Sequence, residues 1–153
     1  MKFAVDCMLG KLAKWLKILG FDAAFFSRIS DDDLLALALT EGRVLLTRDT
    51  GLIQRAGRVD HLFIESDEWK DQIIQVVGHF RLADKFRPHT RCLECNRPLR
   101  SLPKAGARNL VAPHVFENAE SFALCPGCGR VYWRGTHFRD MNQKLRDIFE
   151  KPD

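Results

Sequence analysis

One stretch decides the fold of this chain: Lys2-Phe-Ala-Val-Asp-Cys-Met-Leu-Gly-Lys-Leu-Ala-Lys-Trp-Leu-Lys-Ile-Leu-Gly20. Its first residues form a short apolar run that is typical of a buried strand, and this run ends at Asp6. The residues that follow carry apolar side chains at helical spacing, at Leu9, Leu12, Leu16 and Leu19. A carboxylate is therefore predicted where a strand passes into a helix. In open α/β sheets, ligands bind at this edge, outside the carboxyl ends of the strands.

Three lysines lie on one face of the same predicted helix: Lys11, Lys14 and Lys17. A row of lysines is either a solvated surface or a stripe that contacts phosphates. The solvated surface is the more frequent explanation for any single lysine, and the sequence leaves both explanations open.

The pattern of a strand followed by a helix continues through the first half of the chain. Further strands are predicted at 21–26, 43–49 and 61–65, and further helices at 30–42, 52–56 and 69–80. Ser30 is a favourable N-cap, and Gly20 and Gly42 are well placed to end helices. Alternating strands and helices indicate a parallel sheet with helices on both faces. We therefore predict an α/β domain at residues 1–84 and a smaller domain at 85–153.

The charge of the 153-residue chain is unevenly distributed. Residues 1–84 carry 11 basic and 13 acidic side chains, whereas residues 85–153 carry 13 basic and seven acidic ones. An acidic first part suits cations, and a basic second part suits polyanions such as nucleic acid. No apolar run approaches the roughly 18 residues that span a bilayer, and no signal-peptide pattern opens the chain. A cytoplasmic protein without membrane contact is expected.

Two Cys-x-x-Cys pairs dominate the second part of the chain, Cys92 with Cys95 and Cys125 with Cys128. Four thiolates in two such pairs are the ligand set of a structural zinc ion. Asn96 and Gly129 follow the pairs and tolerate the left-handed backbone of a tight knuckle. Redox or disulfide roles fit a cytoplasmic chain less well. The fifth cysteine, Cys7, is expected to be a buried apolar thiol.

Basic and aromatic side chains accompany the cysteine pairs: Arg97, Arg100, Lys104, Arg108, Arg130 and Arg134, with Tyr132 and Trp133. These residue types contact phosphates and stack on bases. The arginines are equally explained as solvated surface and the aromatic rings as the core of the ribbon. Nucleic-acid contact by this domain is one of two open interpretations.

Acidic residues stand at the ends of predicted strands and at the start of a predicted helix. They are Asp6 and Asp49, which end the first and third strands, and Asp31, Asp32 and Asp33, which begin a helix. If these two strands are neighbours, the carboxylates meet at one edge and repel one another unless cations compensate. Mg²⁺ and Mn²⁺ take oxygen ligands and activate water for phosphodiester cleavage. The alternative is structural, with Asp49 and the three aspartates serving as caps and first-turn charges.

The order of these motifs resembles that of the PIN-like nucleases, through Asp6 and Met8–Gly20, the acidic helix start, and Leu45-Leu-Thr-Arg-Asp49. The zinc ribbon and Val131-Tyr-Trp-Arg-Gly-Thr-His137 make the chain similar to the Mut-seven C-terminal RNase family. The resemblance implies a PIN-like parallel sheet followed by a zinc ribbon. It also implies metal-dependent hydrolysis of RNA, with single-stranded RNA as the expected partner.

Carried over by position, the resemblance implies catalytic roles for Asp6, Asp32, Asp33 and Asp49. Asp6 and Asp49 are the implied ligands of Mg²⁺ or Mn²⁺, and Asp67 is the candidate for a further acid. The implied contacts to RNA phosphates are Lys11 and Arg48, and Lys14 belongs to the same predicted surface.

Two other functions compete with a nuclease. The first is a non-catalytic RNA-binding adaptor in which the acids are structural and the basic zinc ribbon binds RNA. The second is a receiver-like phosphoacceptor domain, which is disfavoured because no lysine ends a later strand.

Overall fold

The first unit of the chain, Met1–Asn96, is built on a four-stranded parallel sheet in the order β2-β1-β3-β4. Its strands are β1 Lys2–Val5, β2 Asp22–Phe25, β3 Val44–Thr47 and β4 His61–Phe63. The structure, a computed structural model, describes residues 1–150. Because β1 pairs with both β2 and β3, the first and third strands are neighbours, which is the condition for their strand-end acids to lie at one edge.

Helices cover both faces of this sheet, as predicted. They are α1 Gly10–Ile18, which follows a single 3-10 turn, α2 Asp31–Glu41, α3 Thr50–Arg55 and α4 Trp69–His79. Ala4 of β1 packs with Leu34 of α2 and Leu52 of α3. On the other face, Trp15 of α1 stacks on Trp69 of α4 with the ring centres 4.6 Å apart. The alternation of apolar side chains along β1 thus supplies a core on each face.

Local capping signals set the ends of α2. Ser30 Oγ accepts a hydrogen bond from Asp33 N at 3.1 Å. Gly42 has a φ of +63° and ends the helix in the left-handed conformation that glycine adopts readily. The helix predicted at 30–42 is therefore confirmed, together with both of its end signals.

Residues 85–96 lie against the end of α1 and the edge strand β2. Arg87 N donates to Leu19 O at 2.8 Å, and His89 N donates to Ile18 O at 3.0 Å. Gly20, with a φ of +95°, makes this approach possible, because an added Cβ would lie 2.3 Å from Arg87 O. The domain division after residue 84 stays a prediction, while the packing assigns residues 85–96 to the first unit.

The side chain of Asn96 completes this packing. Asn96 Nδ2 donates to Asp22 Oδ1 at 2.6 Å, and Asn96 Oδ1 accepts from Ala23 N at 3.0 Å. Arg43 also donates to Asp22 Oδ1, at 2.6 Å. Burial raises the pKa of Asp22, but the hydrogen bonds from Arg43 and Asn96 outweigh it, so the pKa lies below its ordinary value. The Asp22 carboxylate is therefore held in its charged form.

We expect Gly20→Ala to destabilise the protein clearly more than Gly42→Ala. Both glycines have positive φ, which costs an alanine about 1–2 kcal/mol. At Gly42 nothing lies within 4 Å of an added Cβ, whereas at Gly20 the Cβ meets the Arg87 backbone. Overpacking at Gly20 adds about 1–3 kcal/mol. Urea unfolding of both variants measures the difference, and equal midpoints would contradict the docking of residues 85–96.

The second unit begins at Arg97 and contains a three-stranded antiparallel sheet in the order β5-β6-β7. Its elements are β5 Arg100–Leu102, α5 Lys104–Ala107, α6 Pro113–Asn118, β6 Phe122–Leu124, β7 Val131–Trp133 and α7 Thr136–Phe149. Its buried core is small and centres on Ala107, Ala119 and Phe122. The last helix, α7, has Thr136 as its first helical residue and Gly135 at its N-cap.

The mixed α/β fold with a second, smaller sheet is thus the predicted one. Within residues 1–150, no helix combines the length and the apolar composition that crossing a bilayer requires.

Candidate active site and metal centre

Asp6 follows the last residue of β1 and is buried, with only 5% of its surface exposed. Its backbone continues the sheet, because Asp6 N donates to Leu46 O at 3.0 Å. Its carboxylate accepts two hydrogen bonds, from Cys7 N to Oδ1 at 2.8 Å and from Thr47 Oγ1 to Oδ2 at 2.6 Å. These two hydrogen bonds hold both carboxylate oxygens in a defined orientation at the carboxyl edge of the sheet.

Thr47 connects Asp6 to Asp49. The Thr47 side chain is fully buried, and its Oγ1 accepts a hydrogen bond from Asp49 N at 3.0 Å while donating to Asp6. Asp49 is half-buried and caps α3, since its Oδ1 accepts from Gly51 N at 2.8 Å and from Leu52 N at 3.2 Å. Asp49 Oδ2 accepts no hydrogen bond from residues 1–150. The Thr47 hydroxyl thus links the Asp6 carboxylate to the backbone of Asp49, and the Asp49 side chain combines a cap with an oxygen that is open to a ligand.

No positive side chain compensates the charge of Asp6 within the described part of the chain. Arg43 forms ion pairs with Asp22 and Glu41, and Arg55 with Asp31 and Asp32, so neither of these arginines is paired with Asp6. A buried carboxylate normally needs a cationic partner or a metal ion, because removing its charge from water costs several kcal/mol. Together with an oxygen of Asp49, the Asp6 carboxylate offers the donor chemistry that hard divalent cations prefer.

The acidic start of α2 is engaged elsewhere. Arg55, the last residue of α3, forms ion pairs with Asp31 Oδ2 at 3.5 Å and with Asp32 Oδ1. The Asp32 side chain is 83% exposed, and Asp33 and Asp67 are exposed as well. Within residues 1–150, three or more acidic, histidine or cysteine side chains lie close enough to share an ion only at the four paired cysteines. The acids at the start of α2 therefore do not form such a group with Asp6 and Asp49. The catalytic roles of Asp32 and Asp33 stay predictions.

The predicted RNA contacts differ in their surroundings. Lys11 is exposed, with Nζ 5.7 Å from the centre of the Trp69 ring, and Lys14 is exposed. Arg48 is half-buried and donates to Ile64 O at 3.2 Å and to Glu65 O at 2.7 Å. Arg48 thus binds the backbone of the segment that follows β4. Contacts of Lys11, Lys14 and Arg48 with RNA phosphates stay a prediction.

Two expectations from the sequence were wrong. Lys17 is buried and not part of a solvated or phosphate-contacting row, because its Nζ donates to Leu93 O at 3.1 Å. Burial lowers the pKa of Lys17. Cys7 is exposed and not part of the apolar core. Partial desolvation raises the pKa of the Cys7 thiol, and the charge of Asp6 raises it further, so the thiol is a weak ligand and nucleophile near neutral pH.

The four sulfur atoms predicted to bind zinc lie within 4.8 Å of one another, at Cys92, Cys95, Cys125 and Cys128. Sulfur atoms about 2.3 Å from a tetrahedral zinc ion are about 3.8 Å apart, so this group fits a structural metal ion such as zinc. Asn96 N donates to Cys92 O, and Gly129 N donates to Cys125 O. Asn96 and Gly129 have φ values of +66° and +76°, which confirms the predicted left-handed knuckles.

The sequence had named most of these residues, but not all of their partners. Thr47, which lies in the quoted motif Leu45–Asp49, contacts both acids through its hydroxyl group. The contacts of Asn96 with Asp22 and Ala23 were missed, because the sequence signal at Asn96 concerned only its left-handed backbone.

Comparison with known proteins gives a match to a protein family. A family model described as the Mut7-C RNAse domain matches residues 1–145, a range that includes both strand-end acids and all four clustered cysteines. No curated protein and no solved structure matches the chain. The family resemblance found in the sequence is thereby confirmed.

Proposed function

The chain belongs to the Mut7-C RNAse domain family, and from this premise we propose that it is a ribonuclease that depends on Mg²⁺ or Mn²⁺. The proposed reaction is hydrolysis of phosphodiester bonds in single-stranded RNA. Its proposed centre is the carboxyl edge of the parallel sheet, at Asp6 and Asp49.

One observation carries the location of this centre. Asp6 is a buried carboxylate at the end of a strand, and it has no cationic partner within residues 1–150. The Thr47 hydroxyl that donates to Asp6 also accepts from the backbone N–H of Asp49, the second acid at this edge of the sheet. A structural acid at this position would be expected to pair with a basic side chain, as Asp22 pairs with Arg43. A divalent cation supplies the missing charge.

Each residue of the proposed centre has a distinct task. Asp6 would hold the ion with a carboxylate that Thr47 and the Cys7 backbone keep oriented. Asp49 would add Oδ2, since its Oδ1 is used to cap α3. When bound, the ion activates water and stabilises the charge that develops on the phosphate oxygens. Asp6 and Asp49 together would supply two carboxylates, a number that suits one Mg²⁺ beside a substrate phosphate.

The basic helix α1 would attract the substrate to this edge. Lys11 and Lys14 are exposed on a helix that begins four residues after Asp6, so their positive charge lies near the carboxyl end of β1. Exposed charges of this kind raise the local concentration of a polyanion and are screened by salt. In the proposed reaction they bind RNA phosphates beside the bond that is cut.

We expect the purified chain to cleave an end-labelled single-stranded RNA when Mg²⁺ or Mn²⁺ is added, and not in a metal-depleted buffer. The divalent ion is withheld rather than chelated, because a chelator would also remove zinc from the cysteines. Cleavage is followed by denaturing gel electrophoresis. Absence of cleavage with both ions would contradict the proposal.

The adaptor function makes the opposite prediction. It is favoured by the ion pairs of Arg55 with Asp31 and Asp32, which give two of the acids a structural role. An adaptor would bind RNA with a strong dependence on salt and would leave it intact under every divalent ion.

A further inference from the structure

The second unit contains a groove between α6 and the turn that leads from β7 into α7. We call it the α6–α7 groove. Among the residues that line it are His114, Asn118, Trp133, Arg134, Gly135 and Arg139. Its volume is about 280 Å³. This is just below the roughly 300 Å³ at which small-molecule pockets begin, so it has room for one flat ring and an adjoining group.

The groove carries an exposed aromatic ring. Trp133 is 39% exposed, although large aromatic side chains are usually buried in a folded unit. Gly135 lies directly against the indole, because an added Cβ there would be 3.0 Å from Trp133 Nε1. The ring is therefore held in place and exposes part of its surface to the groove. Such a ring is a stacking platform for a nucleobase.

The charge of the groove is positive. Arg134 and Arg139 line it, and no acidic residue is among its lining residues. Neither arginine forms an ion pair with an acidic side chain of residues 1–150. The Arg134 guanidinium lies 5.4 Å from the centre of the Phe138 ring, which limits its motion. Two uncompensated guanidinium groups beside an aromatic ring favour a ligand with both an anionic group and a flat ring.

A polar side chain completes the set. Asn118 Nδ2 donates to His114 O at 2.6 Å, and this bond fixes the side-chain amide. Asn118 Oδ1 accepts no hydrogen bond within residues 1–150. It is therefore available as an acceptor for the amino or imino group of a base.

We propose that the α6–α7 groove binds one nucleotide of single-stranded RNA, with the base stacked on Trp133 and phosphate held by Arg134 and Arg139. This inference rests on the proposed ribonuclease function and adds a substrate-binding position in the second unit. An acidic peptide would also satisfy the two arginines, but it would not use the indole as a stacking surface.

Binding is measured by fluorescence anisotropy with a labelled single-stranded oligoribonucleotide of about 10 nucleotides, within the roughly 4–16 that single-strand-binding domains cover. The full chain carries Asp6→Asn, so that binding is read without turnover. We expect Trp133→Ala to weaken binding by roughly 5- to 100-fold. With an abasic oligonucleotide of the same length, Trp133→Ala is expected to have little effect, because the phosphates remain and the bases do not.

Arg139→Gln tests the charge of the groove without removing the aromatic ring. Its matched control is Lys144→Gln, which removes the same charge from an exposed position on α7 outside the groove. We expect Arg139→Gln to lower the slope of log affinity against log salt by about 0.7, the value for one phosphate contact on a single strand. Lys144→Gln is expected to change this slope much less. Zinc content and far-UV circular dichroism verify that each variant is folded.

Several outcomes would overturn the inference. They are unchanged RNA binding by folded Trp133→Ala, equal losses in Arg139→Gln and Lys144→Gln, and competition by polyglutamate as effective as that by RNA. The proposed function fails separately, through absence of cleavage by the unaltered chain. If the unaltered chain cleaves RNA, an increase in KM with little change in kcat for Trp133→Ala further supports the groove.

Discussion

Asp6→Asn is expected to lower metal-dependent RNA cleavage by about a thousandfold or more while the chain stays folded. Loss of a negatively charged ligand weakens the binding of the divalent ion. It also removes several kcal/mol of stabilisation of the charge that develops on the phosphate. Cleavage rates are compared at saturating Mg²⁺ and again with Mn²⁺. Full activity of the purified variant would place catalysis elsewhere in the chain.

The substitution is nearly isosteric, and its structural cost can be estimated from the hydrogen bonds. The asparagine Oδ1 can still accept from Cys7 N, and Nδ2 then faces Thr47 Oγ1 where a carboxylate oxygen now accepts. The Thr47 hydroxyl proton loses its acceptor at a fully buried position, which costs about 1–3 kcal/mol. Thermal unfolding of the variant separates this cost from a loss of chemistry.

The matched control is Asp60→Asn. Asp60 is exposed and precedes β4, so it lies at the amino end of a parallel strand, opposite the proposed site. Asp60→Asn removes the same charge as Asp6→Asn, and we expect it to leave the cleavage rate within a few-fold of that of the unaltered chain.

Asp49→Asn is a second test, because asparagine is as good an N-cap as aspartate and should preserve α3. A loss of cleavage in Asp49→Asn therefore reports on the ligand and not on the cap.

The second large effect is expected from Cys125→Ser, which should abolish zinc binding and unfold the second unit. The apolar core of this unit is small, with a cluster of three buried residues and a few more on α7, so the unit needs a staple. Structural zinc contributes about 10–16 kcal/mol of apparent binding free energy in small domains at neutral pH. We expect the metal content to fall from about one zinc ion per chain to nearly none. Proteolysis should then begin after Arg97.

The control for this variant is Cys7→Ser, which removes a thiol that is exposed and outside the cysteine group. It should retain zinc and resist proteolysis like the unaltered chain. Metal content is measured by elemental analysis of the purified protein, and unfolding of the second unit by circular dichroism and limited proteolysis. A Cys125→Ser chain that keeps its zinc and its protease resistance would exclude the four-cysteine site.

Residues whose structure depends on near neighbours were predictable. The apolar run that ends at Asp6, the Ser30 cap and the glycine at position 42 act within one or two turns of chain, and the structure has each of them as expected. The sequence allows Asp49 to be either a cap or a catalytic acid, and in the structure Asp49 caps α3 through Oδ1 and leaves Oδ2 open. The Cys-x-x-Cys spacing was equally informative, because it encodes the knuckle geometry directly.

Pairings between distant residues were not predictable. Lys17 was placed on a surface row by its helical spacing, but its partner is the carbonyl of Leu93, 76 residues away. Arg55 binds Asp31 and Asp32 across 23 or 24 residues, and no local pattern indicates this ion pair. Such contacts depend on which elements meet in the fold. The sequence therefore identifies the acids but does not show which of them form ion pairs.

The packing of residues 85–96 limits where the chain can be shortened. β2 is an edge strand, and Asn96 supplies the acceptor for its Ala23 N–H group and the donor for Asp22. A fragment that stops at residue 84 would present an unprotected strand edge, which invites self-association. A shortened form of the α/β unit that keeps this strand edge covered therefore has to extend through Asn96, and it then includes Cys92 and Cys95.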